Sequence, residues 1–329
     1  MATGNGTLKL ALAGDTMLGR KVAEAIRARG PGSLFAPEVL AAAHEADLFV
    51  LNLECCISER GEPWPDPFKP FFFRAPPAAL EVLGLLGVDC VTLANNHALD
   101  FGEEALLDTV ELLRTAGIAT VGAGANLDAA RAPAMLEAGG YRLGVVAATD
   151  HPADFAAAPE RPGVALASLQ AGVPEWLAER VRRLAPQVDA VLVTPHWGPN
   201  MSPGPLRYVR AASLELLAAG ATLVAGHSAH VFQGVEGRML YDLGDFVDDY
   251  AVDPQLRNDL GLLFLVTLGK DGPERLEAVP LRLDYCYTRL ASGEDAEWIR
   301  RRFRSACAEL GTAVEEENGR LAVSLGASS

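Results

Sequence analysis

The feature that most constrains this chain is the way its short apolar runs end. Leu8–Ala13 leads into Gly14-Asp15, Leu48–Leu53 into Glu54, and Val88–Ala94 into Asn95-Asn96-His97. Val188–Thr194 leads into Pro195-His196-Trp197-Gly198, and Ala221–Ala225 into Gly226-His227-Ser228-Ala229-His230. Each run, with Leu143–Ala148, reads as a buried strand. The intervening segments Val22–Arg29, Pro37–Glu45, Glu103–Ala116, Pro174–Leu184 and Leu206–Ala219 carry helical spacing. It is clearest where Leu106, Val110 and Leu113 recur at i, i+4, i+7 and Gly117 follows as a stop. Alternating strands and helices predict an α/β fold with a sheet flanked by helices. In such a sheet, ligands bind beyond the carboxyl ends of the strands, where these five endings would meet.

After Val231 the pattern changes to shorter alternating segments, Met239–Leu243, Leu262–Leu268, Arg275–Leu283 and Leu321–Ser324. They predict a second sheet, interrupted by one helix over about Asp295–Leu310 with Ser292 and Asp295 as a capping pair and Ile299 and Phe303 as its apolar stripe. No repeat or linker divides the 329 residues, so the expectation is one domain, 1–329, with a core over about 7–285 and a C-terminal helix and strand extension over 286–329. Gly61–Pro77 and Asp150–Ala171 are the long connections, and long loops in compact domains are often functional.

Composition removes several function classes. With 28 basic and 43 acidic residues the formal charge is −15, which opposes nucleic-acid binding. The five cysteines, Cys55, Cys56, Cys90, Cys286 and Cys307, form no CxxC pair, which argues against a disulfide framework or a thiolate zinc site. Leu8–Ala13 is far too short for a membrane span and carries no secretory cleavage pattern, so the chain reads as cytoplasmic with no export signal.

Four of the six histidines, His97, His196, His227 and His230, fall in the strand endings. Taken singly, each polar residue has a plainer reading. Asp15 could cap the helix that follows, Glu54 could be solvated, and Asn95, Asn96 and His97 could form a turn or cap. His227 and His230, three apart on a Gly-led loop, have the spacing of metal ligands, and jointly the endings point to a metal site. His44 reads as structural, and His151 beside Asp150 as a secondary candidate.

The blocks Ala13-Gly14-Asp15-Thr16-Met17-Leu18-Gly19-Arg20, Asn52-Leu53-Glu54, Asn95 to Gly102, His196-Trp197-Gly198 and Gly226 to Gly234 resemble the CapA family. Its members are the poly-γ-glutamate capsule synthesis proteins of the calcineurin-like metallophosphatase superfamily. The resemblance implies a four-layer αββα sandwich with two metal ions at the strand ends. It implies Asp15, Glu54, Asn96, His196, His227 and His230 as metal ligands, with Glu54 bridging, His97 as proton donor to the leaving group, and Asp100 orienting His97. Asp242-Leu243-Gly244-Asp245-Phe246 resembles a family block that usually reads Ser-Leu-Gly-Asn-Phe, making Asp245 a further candidate. Three departures stand out. Ser228 replaces the first histidine of the usual His-Pro-His unit, which leaves open whether His227 takes over as ligand. Pro199-Asn200 stands where an acidic residue commonly follows His-Trp-Gly, and Asp245, Asp248 and Asp249 add carboxylates.

A donor set of carboxylate, amide oxygen and imidazole suits Mn²⁺, Fe²⁺ or Zn²⁺. Two such ions sharing a hydroxide would favour hydrolysis of an amide, γ-glutamyl or phosphoester bond. The expected partner is a small anionic substrate or a glutamate-like polymer. Arg20 and Arg74 are the expected cations for it, and Phe71–Phe73 is expected to form a buried strand or plug. The alternative is a metal-binding accessory of polymer assembly with little turnover.

Overall fold

The computed structural model describes residues 6–326 and is of mixed α/β class, with two larger sheets and two short strand pairs. The first sheet runs, side by side, Glu315–Glu317, Arg320–Ser324, Gly272–Asp284, Leu260–Gly269, Leu8–Thr16, Leu48–Leu53, Cys90–Thr92 and Ala119–Val121. Asp245–Val247 pairs beside Leu8–Thr16, and Tyr287–Leu290 beside Gly272–Asp284. The second sheet runs Val235–Glu236, Met239–Leu240, Leu223–Ala225, Ala190–His196, Tyr141–Thr149 and Ala134–Ala138.

This partition corrects the expected division at Val231. The late strands do not make a sheet of their own: Leu260–Gly269 lies antiparallel to Leu8–Thr16, with Leu10 opposite Val266 and Leu12 opposite Phe264. Met239–Leu240 joins the middle strands through Leu223–Ala225. Alternation along a strand tells which residues are buried, but not which edge the strand joins.

The six central apolar runs are buried on both faces, which explains why they read as continuous rather than alternating. Leu10, Leu12 and Val50 share a core with Leu143, Val145, Leu192 and Phe264, the residues of both sheets that meet. On the other face, Ala11, Ala13, Phe49 and Leu51 pack against Val22, Ile26, Val39 and Leu106 of the helices. Val146, Ala148, Val191 and Val193 pack likewise against Leu177, Val181 and Leu216. Burial of each large side chain contributes about 1.5–3 kcal/mol, so the strand ends rest on a heavily fastened frame.

The helices span Arg20–Arg29, Pro37–Ala43, Gly102–Thr115, Glu175–Leu184, Arg207–Ala218 and Gly293–Ala308, close to their expected limits. A further helix, Ala79–Leu86, buries Ala79, Val82, Leu83 and Leu86, an i, i+3, i+4, i+7 stripe that the sequence reading passed over beside the Pro-rich loop. Ser292 occupies the N-cap of the last helix but makes no side-chain cap bond, and Asp295 is engaged instead by Arg257 at 2.8 Å and Arg282 at 3.4 Å, so the expected capping pair does not form. Of the aromatic run, only Phe73 is buried, while Phe71 is exposed. No helix among the described residues is long and apolar enough to cross a membrane.

Candidate metal centre

The site begins with a close backbone contact. A Cβ on Gly14 would stand 1.7 Å from the Gly244 carbonyl oxygen, so only glycine fits there. That carbonyl accepts the Asp15 amide at 2.8 Å, and Asp15 lies in parallel register with Asp245. The first strand slips register between Ala13 and Asp15 and continues to Thr16. Asp15 is therefore a strand residue; the helix that follows is capped by Gly19, which removes the capping alternative.

Asp15 is fully buried. Its Oδ1 accepts Asn52 Nδ2 at 2.7 Å, and its Oδ2 lies 3.1 Å from His230 Nδ1 and 3.3 Å from the Ser228 amide. His230 Nδ1 is also 2.8 Å from Asp245 Oδ1 and 4.0 Å from Glu54 Oε2. Glu54 is likewise fully buried rather than solvated, with Oε1 3.3 Å from His196 Nε2. Two groups result, each with ligand atoms within 4.8 Å of one another: Asp15, Glu54 and His196, and Asp15, His230 and Asp245. These buried acidic and histidine groups could hold a metal ion.

The surrounding side chains fix this arrangement. Asn95 Nδ2 donates to Asn52 Oδ1 and to the Leu53 carbonyl, both at 2.9 Å, while Asn95 Oδ1 accepts the His97 amide at 3.0 Å. Asn95 is thus a brace. His97 Nδ1 lies 2.6 Å from Asp100 Oδ2, which also accepts the Phe73 amide at 2.6 Å. His227 Nε2 hydrogen-bonds Thr194 Oγ1 at 2.8 Å, which leaves Nδ1 3.6 Å from Asp15 Oδ1. Ser228 donates its hydroxyl to the Gly198 carbonyl at 2.8 Å, away from Asp15. His151 Nδ1 is 2.5 Å from Asp150 Oδ1, and its ring centroid is 5.2 Å from that of His196.

Five buried atoms around this centre have no hydrogen-bond partner: Glu54 Oε2, Asn96 Oδ1, His196 Nδ1, His227 Nδ1 and Asp245 Oδ2. An orphaned buried polar atom costs about 1–3 kcal/mol, so five together fit a bound cation. Electrostatics agree. Burial, reinforced by the Asp15 charge, pushes Glu54 up to about 7. Burial also pushes Asp15 up, but the hydrogen bond and charge of His230 outweigh it and hold the carboxyl well below the usual range. His196 is lowered by burial to about 3 and His227 to about 4, so both are neutral and able to ligate.

The expected substrate cations lie elsewhere. Arg20 Nε pairs with Asp249 Oδ2 at 3.2 Å, and its guanidinium covers Phe71. Arg74 donates to the Arg60 and Gly61 carbonyls, both at 3.1 Å, and stacks 4.0 Å from the Phe101 ring centroid. Neither lines the cleft of about 420 Å³ that opens beside His97 and His230. Lys69 does. A larger cleft of about 950 Å³, beside Arg238 and Leu310, contains none of these residues.

The profile of the bacterial capsule synthesis protein family PGA_cap matches residues 9–250, a span that includes every candidate from Asp15 to Asp245. The chain belongs to this family. A probable polyglutamine synthesis accessory protein of Mycobacterium tuberculosis is 36% identical over 274 residues, covering 77% of this chain and 70% of its own. The capsule biosynthesis protein CapA of Bacillus anthracis is 27% identical, covering 85% and 68%, and the PGA biosynthesis protein CapA of Bacillus subtilis is 27% identical, covering 83% and 71%. In this PGA_cap chain the carboxylate common to both potential ligand groups is Asp15. The residues that sequence reading missed are Asn52, Thr194 and Lys69. Lys69 alone carried a signal, as one of two cations, with Arg74, on the long aromatic loop Gly61–Pro77.

Proposed function

We propose that the chain is a metal-dependent hydrolase of the CapA type, acting on an amide, γ-glutamyl or phosphoester bond of an anionic substrate in poly-γ-glutamate metabolism. The observation that carries this reading is the fully buried Asp15 carboxylate shared by two groups of potential ligands. Asp15, Glu54, Asn96, His196, His227, His230 and Asp245 would hold divalent ions, two of them, with Mn²⁺, Fe²⁺ and Zn²⁺ all suited to the donors. Ions bound there would act as Lewis acids on the scissile group and make water a competent nucleophile at neutral pH. His97, its ring oriented by Asp100, holds a proton beside the cleft for the leaving group.

The same reading includes the four-layer αββα arrangement of metallo-dependent phosphatases. The core between the two larger sheets and the helices packed on their outer faces support it. It also treats the chain as one domain, although positions 1–5 and 327–329 lie outside the described residues. The Arg320–Ser324 strand, paired with Gly272–Asp284, supports that unity.

Elemental analysis after reconstitution should find two metal equivalents. The loaded protein should hydrolyse p-nitrophenyl phosphate or short γ-glutamyl oligomers, and Glu54→Ala and His97→Ala should abolish it. The second reading, a metal-binding accessory, is favoured by the mycobacterial relative, a probable synthesis accessory protein, and by a Ser228 hydroxyl bonded away from Asp15. Full metal loading without turnover of either substrate would select it.

A further inference from the structure

We propose that Lys69 is the anion-binding residue of the cleft, its ammonium holding a carboxylate or phosphoryl group of the substrate. The orientation of that substrate over Asp15 and Glu54 rests on the proposed function; the binding itself does not.

With a net charge of −15 and a centre built on buried carboxylates, an anion approaching this site meets a repulsive field unless a cation stands at the entrance. Among the described residues lining the cleft of about 420 Å³, Lys69 is the one lysine or arginine. Arg20 pairs through Nε with Asp249 and Arg74 bonds backbone carbonyls, and neither lines this cleft.

Lys69 is also held in place. Its Nζ lies 2.9 Å from Asp100 Oδ1 and donates to the Asn96 carbonyl at 2.8 Å, and the side chain is only 12% exposed. The ammonium sits 5.2 Å from the Phe155 ring centroid. An ammonium has three N–H donors, so one hydrogen bond to Asn96 and one ion pair to Asp100 leave a donor for a ligand. Because the rotamer is already fixed, little further entropy is lost on binding. Asp100 ties the placement to chemistry: one oxygen holds Lys69 and the other faces His97 Nδ1. An anion on Lys69 therefore lies beside both His97 and Asn96.

A merely structural role, in which Lys69 only neutralises Asp100, predicts no response to ligand. The chain contains four lysines, Lys9, Lys21, Lys69 and Lys270, so acylation read by mass spectrometry resolves each one in the unaltered protein. Inorganic phosphate or γ-glutamylglutamate, with or without Mn²⁺, should slow acylation of Lys69 at least about fivefold and leave the other three unchanged. Whichever anion protects at lower concentration identifies the source of the bound group. In calorimetry, Lys69→Gln should weaken that anion about ten- to a hundredfold, as loss of a charge-assisted hydrogen bond does, and Lys69→Arg should restore most of it. Unchanged acylation at saturating concentrations of both anions, or equal binding by Lys69→Gln and the parent, overturns the proposal. Protection of Lys69 without turnover would remove the hydrolase reading alone. Turnover with an unchanged KM in Lys69→Gln would remove the role of Lys69 alone.

Discussion

Asp15 and Asp245, far apart in the sequence, stand side by side in parallel register, and His230 Nδ1 lies 3.1 Å from one carboxylate and 2.8 Å from the other. Two buried carboxylates this close repel each other unless a positive charge lies between them, and Glu54, also fully buried, adds a third. The arrangement is costly without a cation and favourable with one, which sets the sign of several measurable effects.

Glu54→Gln removes one charge while keeping the shape. At about pH 8 and in the presence of EDTA, the variant should be more stable than the parent by ~1–3 kcal/mol, because the parent must ionise a carboxyl whose pKa burial has raised. With Mn²⁺ the order should reverse. Chemical denaturation with and without metal checks this, and a variant less stable in EDTA would show that Glu54 is not a source of repulsion.

The pH dependence of the metal-free protein has a definite direction. Burial and then Asp15 push Glu54 up from 4.5 to about 7. For His230, burial acts downward, but Asp245, Glu54 and Asp15 outweigh it and raise it well above 6.5. Folded Glu54 therefore holds a proton that the unfolded chain has released between about pH 4.5 and 7, and folded His230 does so above about pH 6.5, so each lowers stability as pH rises through its window and His230 carries the fall above pH 7. His196 and His227, lowered to about 3 and 4, act in the opposite sense, but their contribution is complete once unfolded imidazoles are neutral. The thermal midpoint in EDTA should fall between about pH 7 and about pH 9, and saturating Mn²⁺ should flatten the curve.

The ligand loop separates its two polar candidates. His227→Ala should lower metal affinity at least about tenfold, since its Nδ1 is the unpartnered nitrogen beside Asp15. Ser228→Ala should leave affinity unchanged and cost about 1 kcal/mol of stability through the lost bond to Gly198. Titration with a metal-sensitive dye gives both numbers; the opposite pattern would assign the ligand role to Ser228.

His97 and Asp100 should act as a unit. If the protein turns over substrate, Asp100→Asn should lower kcat by about 10²–10⁴, close to the effect of His97→Gln, and the double variant should lose little more. Metal content of His97→Gln should equal that of the parent. Additive losses in the double variant would separate the two residues.

Gly14→Ala tests the backbone contact beneath the site. The added methyl would stand 1.7 Å from the Gly244 oxygen, a rigid partner that holds Asp15 in register. A loss of roughly 3–5 kcal/mol is expected, with loss of metal binding. A change below about 1 kcal/mol would mean that the two strand ends can part freely.

Much of this was already written in the chain as local pattern. Runs such as Leu48–Leu53 and Val188–Thr194 declared themselves as buried strands, and Leu106, Val110 and Leu113 as a helix face, because burial and helical periodicity are local properties. The endings identified Asp15, Glu54, Asn96, His196, His227 and His230 as polar residues at strand ends; the structure gathers Asp15, Glu54, His196, His227 and His230 from the ends of two sheets, and sets Asn96 on the wall of the cleft beside His230. Tertiary structure decided the pairings. Leu260–Gly269 joins the first strand instead of a separate sheet, Asp245 stands beside Asp15, Arg20 and Arg74 turn to internal partners, and Lys69 takes the cleft. Each of these depends on which long-range contact wins when strands and loops compete for the same edge, and that free-energy difference has no signature within a window of neighbouring residues.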